Sequence, residues 1–317
     1  MANLAPSTRP SRPRLRRLWP LALGLALILV TSGCLVRWTY NQLDWLIPWY
    51  LDDYVDFTGT QRDLLDQRLG AMLQWHRYTQ LPVYAQWLED ATEALADGLE
   101  RQELLAIEAR GRNLLDAFTN RILPDFAELL GRLDDAQVQG LLAKIEADNR
   151  EFHRERVTLD LEARRRDRIQ RAEEQLRRWT GDSTPAQRAR LRAWSESAPA
   201  LAPELWHYRE DWRAYLAGLL AERRDRSALR AGLTTLLLEP DDLRRPAYRR
   251  QRELGRLALV ELALDLDALL SSRQRQHLLG RLESYALDFR RLADQPCREP
   301  VTTCRGTPPR PATSFGR

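Results

Sequence analysis

Residues 271–292 read SSRQRQHLLGRLESYALDFRRL, and the spacing within them decides the fold class. Leu278, Leu282, Tyr285, Phe289 and Leu292 recur every three or four positions. That period lines them along one face of an α-helix, whereas a strand would scatter them over both faces of a sheet. Just upstream, Ser271 stands three residues before Gln274, the spacing of a capping box. In such a box the side chain of the first residue accepts from an orphan backbone N–H, and the glutamine reaches back to the N–H of the capping residue. Helix start and buried face are written in one stretch.

The same start recurs at Thr58/Gln61, Asp134/Gln137 and Thr184/Gln187. Each box leads into leucine-bearing sequence and then into an aromatic-plus-arginine unit. These units are Trp75-His76-Arg77, Phe152-His153-Arg154, Trp206-His207-Tyr208-Arg209 and Phe289-Arg290, at 14, 15, 19 and 15 residues from the glutamine. A duplicated helical hairpin accounts for the recurrence, and so do independent caps of a common type. Leu65, Leu69, Met72, Leu73 and His76 form a second helical face, with His76 at its edge as a half-buried structural histidine. Good helix formers dominate, and nowhere does a strand-like alternation appear. The expected fold is all-α, a multi-helix bundle without a sheet.

Longer segments add to this. Between Asp134 and Trp179 only Gly140 interrupts, which predicts one central helix of about 68 Å at ~1.5 Å per residue. Its arginine-rich middle carries acid-first pairs four apart: Asp160–Arg164, Glu162–Arg166, Asp167–Arg171, Glu173–Arg177 and Glu174–Arg178. They read as a solvated, salt-laced face, with a surface for lipid phosphates or an acidic partner as the alternative. Residues 257–270, LALVELALDLDALL, are apolar nearly all round and predict a buried helix. Breaks at Thr180-Gly181-Asp182 and Ser197-Ala198-Pro199 divide an N-terminal region, 34–180, from a C-terminal one, 181–295, packed as the same or a second subdomain. Residues 296–317 read as a disordered tail.

The chain opens with arginines at 9, 12, 14, 16 and 17 and no acid in its first twenty residues, followed by LALGLALILV over 21–30. A basic region, a short apolar run and small residues before a cut make residues 1–33 a secretory signal. The run falls short of the ~20 apolar residues of a membrane span. Thr31-Ser32-Gly33-Cys34 resembles a bacterial lipobox, with threonine where leucine is usual. That resemblance implies acylation of Cys34 (diacylglyceryl and palmitate-type chains) and anchoring to a membrane through it. Leu35 rather than aspartate after the cysteine implies the periplasmic face of the outer membrane in a Gram-negative cell. Inner-membrane anchoring and a soluble periplasmic form are the alternatives. Removal of the leader changes the charge: 49 Lys+Arg against 45 Asp+Glu becomes, without five arginines, 44 against 45, or −1. The basic balance thus belongs to the leader and gives no support to nucleic-acid binding. Cys297 and Cys304, in a Pro/Thr-rich tail without C-x-x-C spacing, read as a small disulfide loop.

No H-E-x-x-H, His pair at helical spacing, Cys/His cluster, G-x-S-x-G or phosphate-binding glycine loop is present, so no metal, cofactor or catalytic set is expected. One stretch holds candidates: residues 40–56, YNQLDWLIPWYLDDYVD. Its carboxylates Asp44, Asp52, Asp53 and Asp56 are the only constellation suited to acid/base work, with Asp52 and Asp56 on one helical face. The simpler reading makes them the polar side of a helix whose other side is Leu43, Ile47, Tyr50, Leu51 and Tyr54. Trp38, Tyr40, Trp45 and Trp49 follow Cys34 closely, and such rings favour a membrane–water interface. Trp38 is expected near the membrane and Trp45 onward in the core, with the chain turning at Pro48.

That stretch, placed after a lipobox and before Phe57-Thr58-Gly59-Thr60-Gln61-Arg62-Asp63-Leu64-Leu65, resembles a family of Gram-negative lipoproteins known only as a domain of unknown function. The resemblance covers most of the chain after residue 33 and implies a lipoprotein with no assigned activity. A looser similarity is to periplasmic stress chaperones with repeated L-T-x-x-Q motifs. It rests on Leu270-Ser271-Ser272-Arg273-Gln274 and Leu133-Asp134-Asp135-Ala136-Gln137, neither with threonine second. The functional expectation is a non-enzymatic, lipid-tethered envelope protein that binds a protein partner, chaperone-like in form. Alternatives are a spacer between outer membrane and cell wall, or an envelope enzyme using the aspartates.

Overall fold

The computed structural model describes residues 34–296, and all regular structure among them is helical. Residues 1–33 with the predicted leader, and 297–317 with the Cys297/Cys304 pair, lie outside the described residues. The chain begins with short helices α1 (Cys34–Tyr40) and α2 (Leu43–Leu51). Helix α3 (Gly59–Trp75) passes through a π-turn, His76–Gln80, into α4 (Leu81–Ala94). Next come α5 (Arg101–Leu130), α6 (Asp135–Phe152) with a second π-turn at His153–Val157, and α7 (Leu161–Thr180). The remainder is α8 (Pro185–Ser197), α9 (Leu201–Ala221), α10 (Arg226–Leu237), α11 (Pro246–Ala268) and α12 (Ser272–Ala293).

All four predicted capping boxes form. Their glutamines do more than cap. The Oε1 atoms of Gln61 and Gln137 each accept from the N–H of their own capping residue at 2.9 Å. The two Nε2 groups then exchange hydrogen bonds, 2.9 and 2.7 Å, to the partner's Oε1. Gln61 Nε2 also donates to Arg132 O and Gln137 Nε2 to Asp56 O, in each case the carbonyl two residues before the partner's cap. Gln187 and Gln274 repeat this, at 3.2 and 3.0 Å between amides, with Leu269 O and Asp182 O as the carbonyls. A buried amide with every donor and acceptor used is stabilising, whereas a half-used one is costly.

The aromatic ends of the four units pair the other way round. His153 meets Trp206 at 4.7 Å between ring centroids, and the Arg209 guanidinium lies 5.0 Å over Phe152. Arg77 Nη1 donates to Leu292 O at 3.3 Å, and Tyr84 meets Phe289 at 6.3 Å. Units one and two therefore join at their starts, two and three at their ends, three and four at their starts, and four and one at their ends. The recurrence in sequence is a recurrence in three dimensions, and it closes into a ring.

The principal core draws Leu123, Leu130, Val138, Leu141, Leu216, Leu220, Leu229, Leu233 and Leu236 from α5, α6, α9 and α10, and Leu133 from the turn between α5 and α6. Helices pack across residue 180: α4 lies on α12, and α6 on α9. Arg223, buried, holds this arrangement by donating to Leu133 O at 2.8 Å and Leu220 O at 2.7 Å.

Three expectations are corrected. The single helix over 134–179 is two, because the π-turn ends at Val157 and Asp160 starts a new helix by accepting from Ala163 N at 2.7 Å. The longest helix is instead α5. Of the five acid-first pairs, Asp167–Arg171 closes at 2.6 Å, while Arg164 turns its Nε to Leu159 O and Glu162 pairs with Arg165. The 257–270 segment is not buried all round, since Leu257 and Leu259 are 41% and 52% exposed. Only Val260, Leu262 and Asp267 within it are buried, where α11 packs on α5, α8 and α9 and Asp267 meets Leu99 N and Arg275.

Candidate interaction site

The stretch 40–56 begins at the docked end of α1. Tyr40 turns inward: its hydroxyl lies 3.0 Å from His76 Nδ1 and its ring stacks on the imidazole at 5.8 Å. Burial pushes the Tyr40 phenol up to about 12. Arg77 sits over the same ring at 5.0 Å and donates to Asn41 Oδ1 at 2.7 Å. Arg37 faces the buried Asp288 of α12 at 3.3 Å, and burial raises the Asp288 carboxyl above its usual range. These contacts fix α1 against the body.

His76 is half-buried among Tyr40, Tyr84 and Phe118, and burial lowers its pKa. A histidine kept neutral by the fold binds fewer protons folded than unfolded, so it lends stability above its ordinary value of about 6.5 that is lost as pH falls below it. Denaturant titrations at pH 7.5 and 5.5 are expected to show wild type losing more stability on acidification than His76→Gln. Equal losses would remove His76 as the sensor.

The turn comes at Asn41–Gln42 rather than at Pro48, which sits inside α2. This turn presents α2 with Trp45 and Trp49 outward, each 61% exposed and stacked at 6.1 Å and 12°. Trp38, at 62%, and Tyr50, at 56%, are exposed too. The expectation that Trp45 onward enters the core is corrected: α2 packs chiefly on α3, with Leu43, Leu46 and Ile47 half-buried and Trp45 and Trp49 left outside. Four large rings thus face water on two consecutive short helices, two of them stacked, and clustered exposed apolar surface of this kind marks interaction sites.

The aspartates do not converge. Asp44 lies in the first turn of α2 and accepts from Trp45 N at 3.0 Å. The helix ends at Leu51, so Asp52 and Asp56 do not share a helical face as expected. Asp52 pairs with Arg62, Asp53 is exposed, and Asp56 offers its backbone carbonyl to Gln137. Among the described residues no group of three His, Cys, Asp or Glu side chains is placed to hold a metal ion. None of the described helices is long and apolar enough to cross a membrane.

Sequence reading missed a cavity. Beneath Tyr50 and Tyr54 lies a space of about 300 Å³ with a wholly apolar lining that includes Phe126, Trp212, Leu216 and Leu236. At its edge the Tyr54 hydroxyl donates to Asp148 Oδ2 at 3.0 Å, and Lys144 Nζ donates to Asp148 Oδ1 at 2.7 Å. Hydrogen bonding to Tyr50 raises the Tyr54 phenol, and the Lys144 ammonium lowers the Asp148 carboxyl. Lys144 is the only lysine in the chain, and nothing local in the sequence tied it to Tyr54. An apolar cavity of this size, roofed by Tyr50 and Tyr54, can take an alkyl chain or an aromatic side chain.

Residues 53–249 match the family model described as "Family of unknown function (DUF6279)". No curated protein and no solved structure matches the chain.

Proposed function

This chain belongs to the family of unknown function DUF6279, and we propose that it is a lipid-anchored envelope protein that binds another envelope component without catalysing a reaction. The observation that carries this reading is the exposure of Trp38, Trp45, Trp49 and Tyr50 on the two helices that directly follow Cys34. A cysteine-linked lipid would hold those rings at the membrane–water interface, where indoles are favoured. The body above would then present its helices to the periplasm from the inner face of the outer membrane. The cavity under Tyr50 supports recognition of an apolar segment by the same end of the molecule.

Fractionation tests the anchor. Cys34→Ala is expected to move the protein from the membrane pellet to the soluble fraction, and unchanged sedimentation would overturn the reading. On that soluble background, Trp45→Ser with Trp49→Ser should weaken residual binding to phospholipid vesicles by about tenfold or more, since burying one large side chain is worth about 1.5–3 kcal/mol. Photo-crosslinking from position 49 in cells separates lipid contact from a protein partner. The chaperone form predicts suppression of client aggregation at equimolar protein, and no suppression would remove it. The enzyme alternative requires that at least one of Asp44→Asn, Asp52→Asn, Asp53→Asn and Asp56→Asn abolish a phenotype in a folded protein.

A further inference from the structure

Away from Cys34, α7 forms one wall of a groove whose opposite walls are α8, the start of α9, and α11. It consists of two adjoining cavities of about 280 Å³ and 470 Å³ that share Arg168, Arg171, Trp194 and Leu259. Both are of the order of ligand pockets, roughly 300–1,000 Å³. Polarity is graded along its length. At one end Arg156 and Arg164 line it, with Arg168 and Arg171 where the two cavities adjoin and a single carboxylate, Asp167, among them. Asp167 is shared between Arg156 at 2.7 Å and Arg171 at 2.6 Å, so one negative charge faces four positive ones. At the other end the lining is Leu176, Trp179, Leu262 and Leu266.

The cationic end is built into the fold. Arg168 Nη1 donates to Ser195 O at 3.2 Å and Ala198 O at 2.9 Å, Nη2 to Pro199 O at 3.3 Å, and the guanidinium lies 5.8 Å over the Trp194 ring. Burial chiefly, and then Arg171, Arg165 and Arg164 close by, lower the Arg168 pKa. Leu259 is 52% exposed over the junction of the two cavities, so its apolar surface is open to an occupant.

We propose that this groove binds a single-chain anionic amphiphile, with a phosphate or carboxylate head at the Arg156–Arg164 end and its alkyl tail running along α7 toward Trp179. Length agrees. Arg164 to Trp179 spans about 22 Å of helix at ~1.5 Å per residue, against the roughly 15 Å that one acyl chain covers in half of a ~30 Å hydrocarbon core. Charge decides the head: guanidinium groups grip phosphate and carboxylate through paired N–H donors, and a neutral head would leave them unmatched.

Calorimetric titration of the chain from residue 34 onward, carrying Cys34→Ser so that it needs no detergent and retaining every described element, tests this. Probes are dodecyl phosphate, dodecyl maltoside and dodecyltrimethylammonium, each below its micelle concentration. One dodecyl phosphate per chain is expected to bind, with Kd at least about tenfold tighter than either other probe, the ~1.4 kcal/mol worth of a charge-assisted contact. Arg164→Gln with Arg171→Gln should reduce that preference to below about threefold. Leu259→Glu should abolish binding while the melting temperature stays near wild type, because the position is exposed. Equal affinity for all three heads, no saturable binding, or binding untouched by Leu259→Glu would each overturn the proposal. Binding of an acidic amphipathic peptide without dodecyl phosphate would overturn it as well, in favour of a peptide groove.

Discussion

Gln187→Leu is expected to lower the melting temperature by roughly 6–12 °C, from a loss of ~3 kcal/mol at about 2–4 °C per kcal/mol for a chain of this class. The substitution keeps volume and removes only polar contacts, so the loss has a nameable origin. Gln187 is fully buried. Its Oε1 accepts from Thr184 N at 2.9 Å and from Gln274 Nε2 at 3.0 Å, and its Nε2 reaches Leu269 O and Gln274 Oε1. Leucine cancels the capping box, about 1 kcal/mol, and leaves the Gln274 amide with orphaned groups at about 1–3 kcal/mol. Gln274→Leu should cost a similar amount. The double variant should cost less than the sum by about 0.5–3 kcal/mol, because the second change removes a group already orphaned by the first. Strict additivity would mean that the two amides cap their own helices and do not clasp.

Arg275→Met is expected to cost about 3–5 kcal/mol, because it strips a buried carboxylate of its counter-ion. Asp267 is 7% exposed and takes both Nη atoms of Arg275, at 3.0 and 3.1 Å, together with Leu99 N at 2.9 Å. Arg275 also donates to Leu95 O at 2.6 Å, so the pair ties the loop before α5 to the start of the last helix. Adding Asp267→Leu to Arg275→Met should recover much of the loss, since the remaining desolvated charge is gone. Urea titration of the cycle reads this directly. A double variant as unstable as the sum of the singles would show that the pair acts through packing alone.

The range of each interaction decides how much of it was legible in the sequence. Capping is local: Ser271 and Gln274, or Thr184 and Gln187, announce their helices within four residues, and the all-α fold was legible from them. The clasp between Gln187 and Gln274 spans 87 residues, and no local pattern encodes which amide meets which. The break before α7 was visible as Asp160, a capping residue; its pairing with Arg164 was the competing reading, and the cap won. Periodicity marked 257–270 as apolar, but neighbours decide burial, and α5, α8 and α9 together leave Leu257 and Leu259 of α11 exposed. Leu259 became part of a groove. Trp45 and Trp49 misled for the same reason: α2 packs chiefly on α3, and the indoles are left outside. The aromatic-histidine-arginine units carried more than spacing showed, for the first two mark π-turns at His76 and His153. Such turns insert one residue into the helical ladder and rotate the faces of the downstream helix.

The proposed anchor and interfacial face reduce to one covalent fact at one residue. Intact-mass and N-terminal peptide mass spectrometry of the protein extracted from cell membranes measures it. The account predicts a chain that begins at Cys34, heavier than its sequence by a thioether-linked diacylglyceryl group and an amide-linked acyl chain, with loss of both in Cys34→Ala. A mature chain that begins at Met1, or one whose Cys34 thiol reacts freely with alkylating reagent, would contradict it.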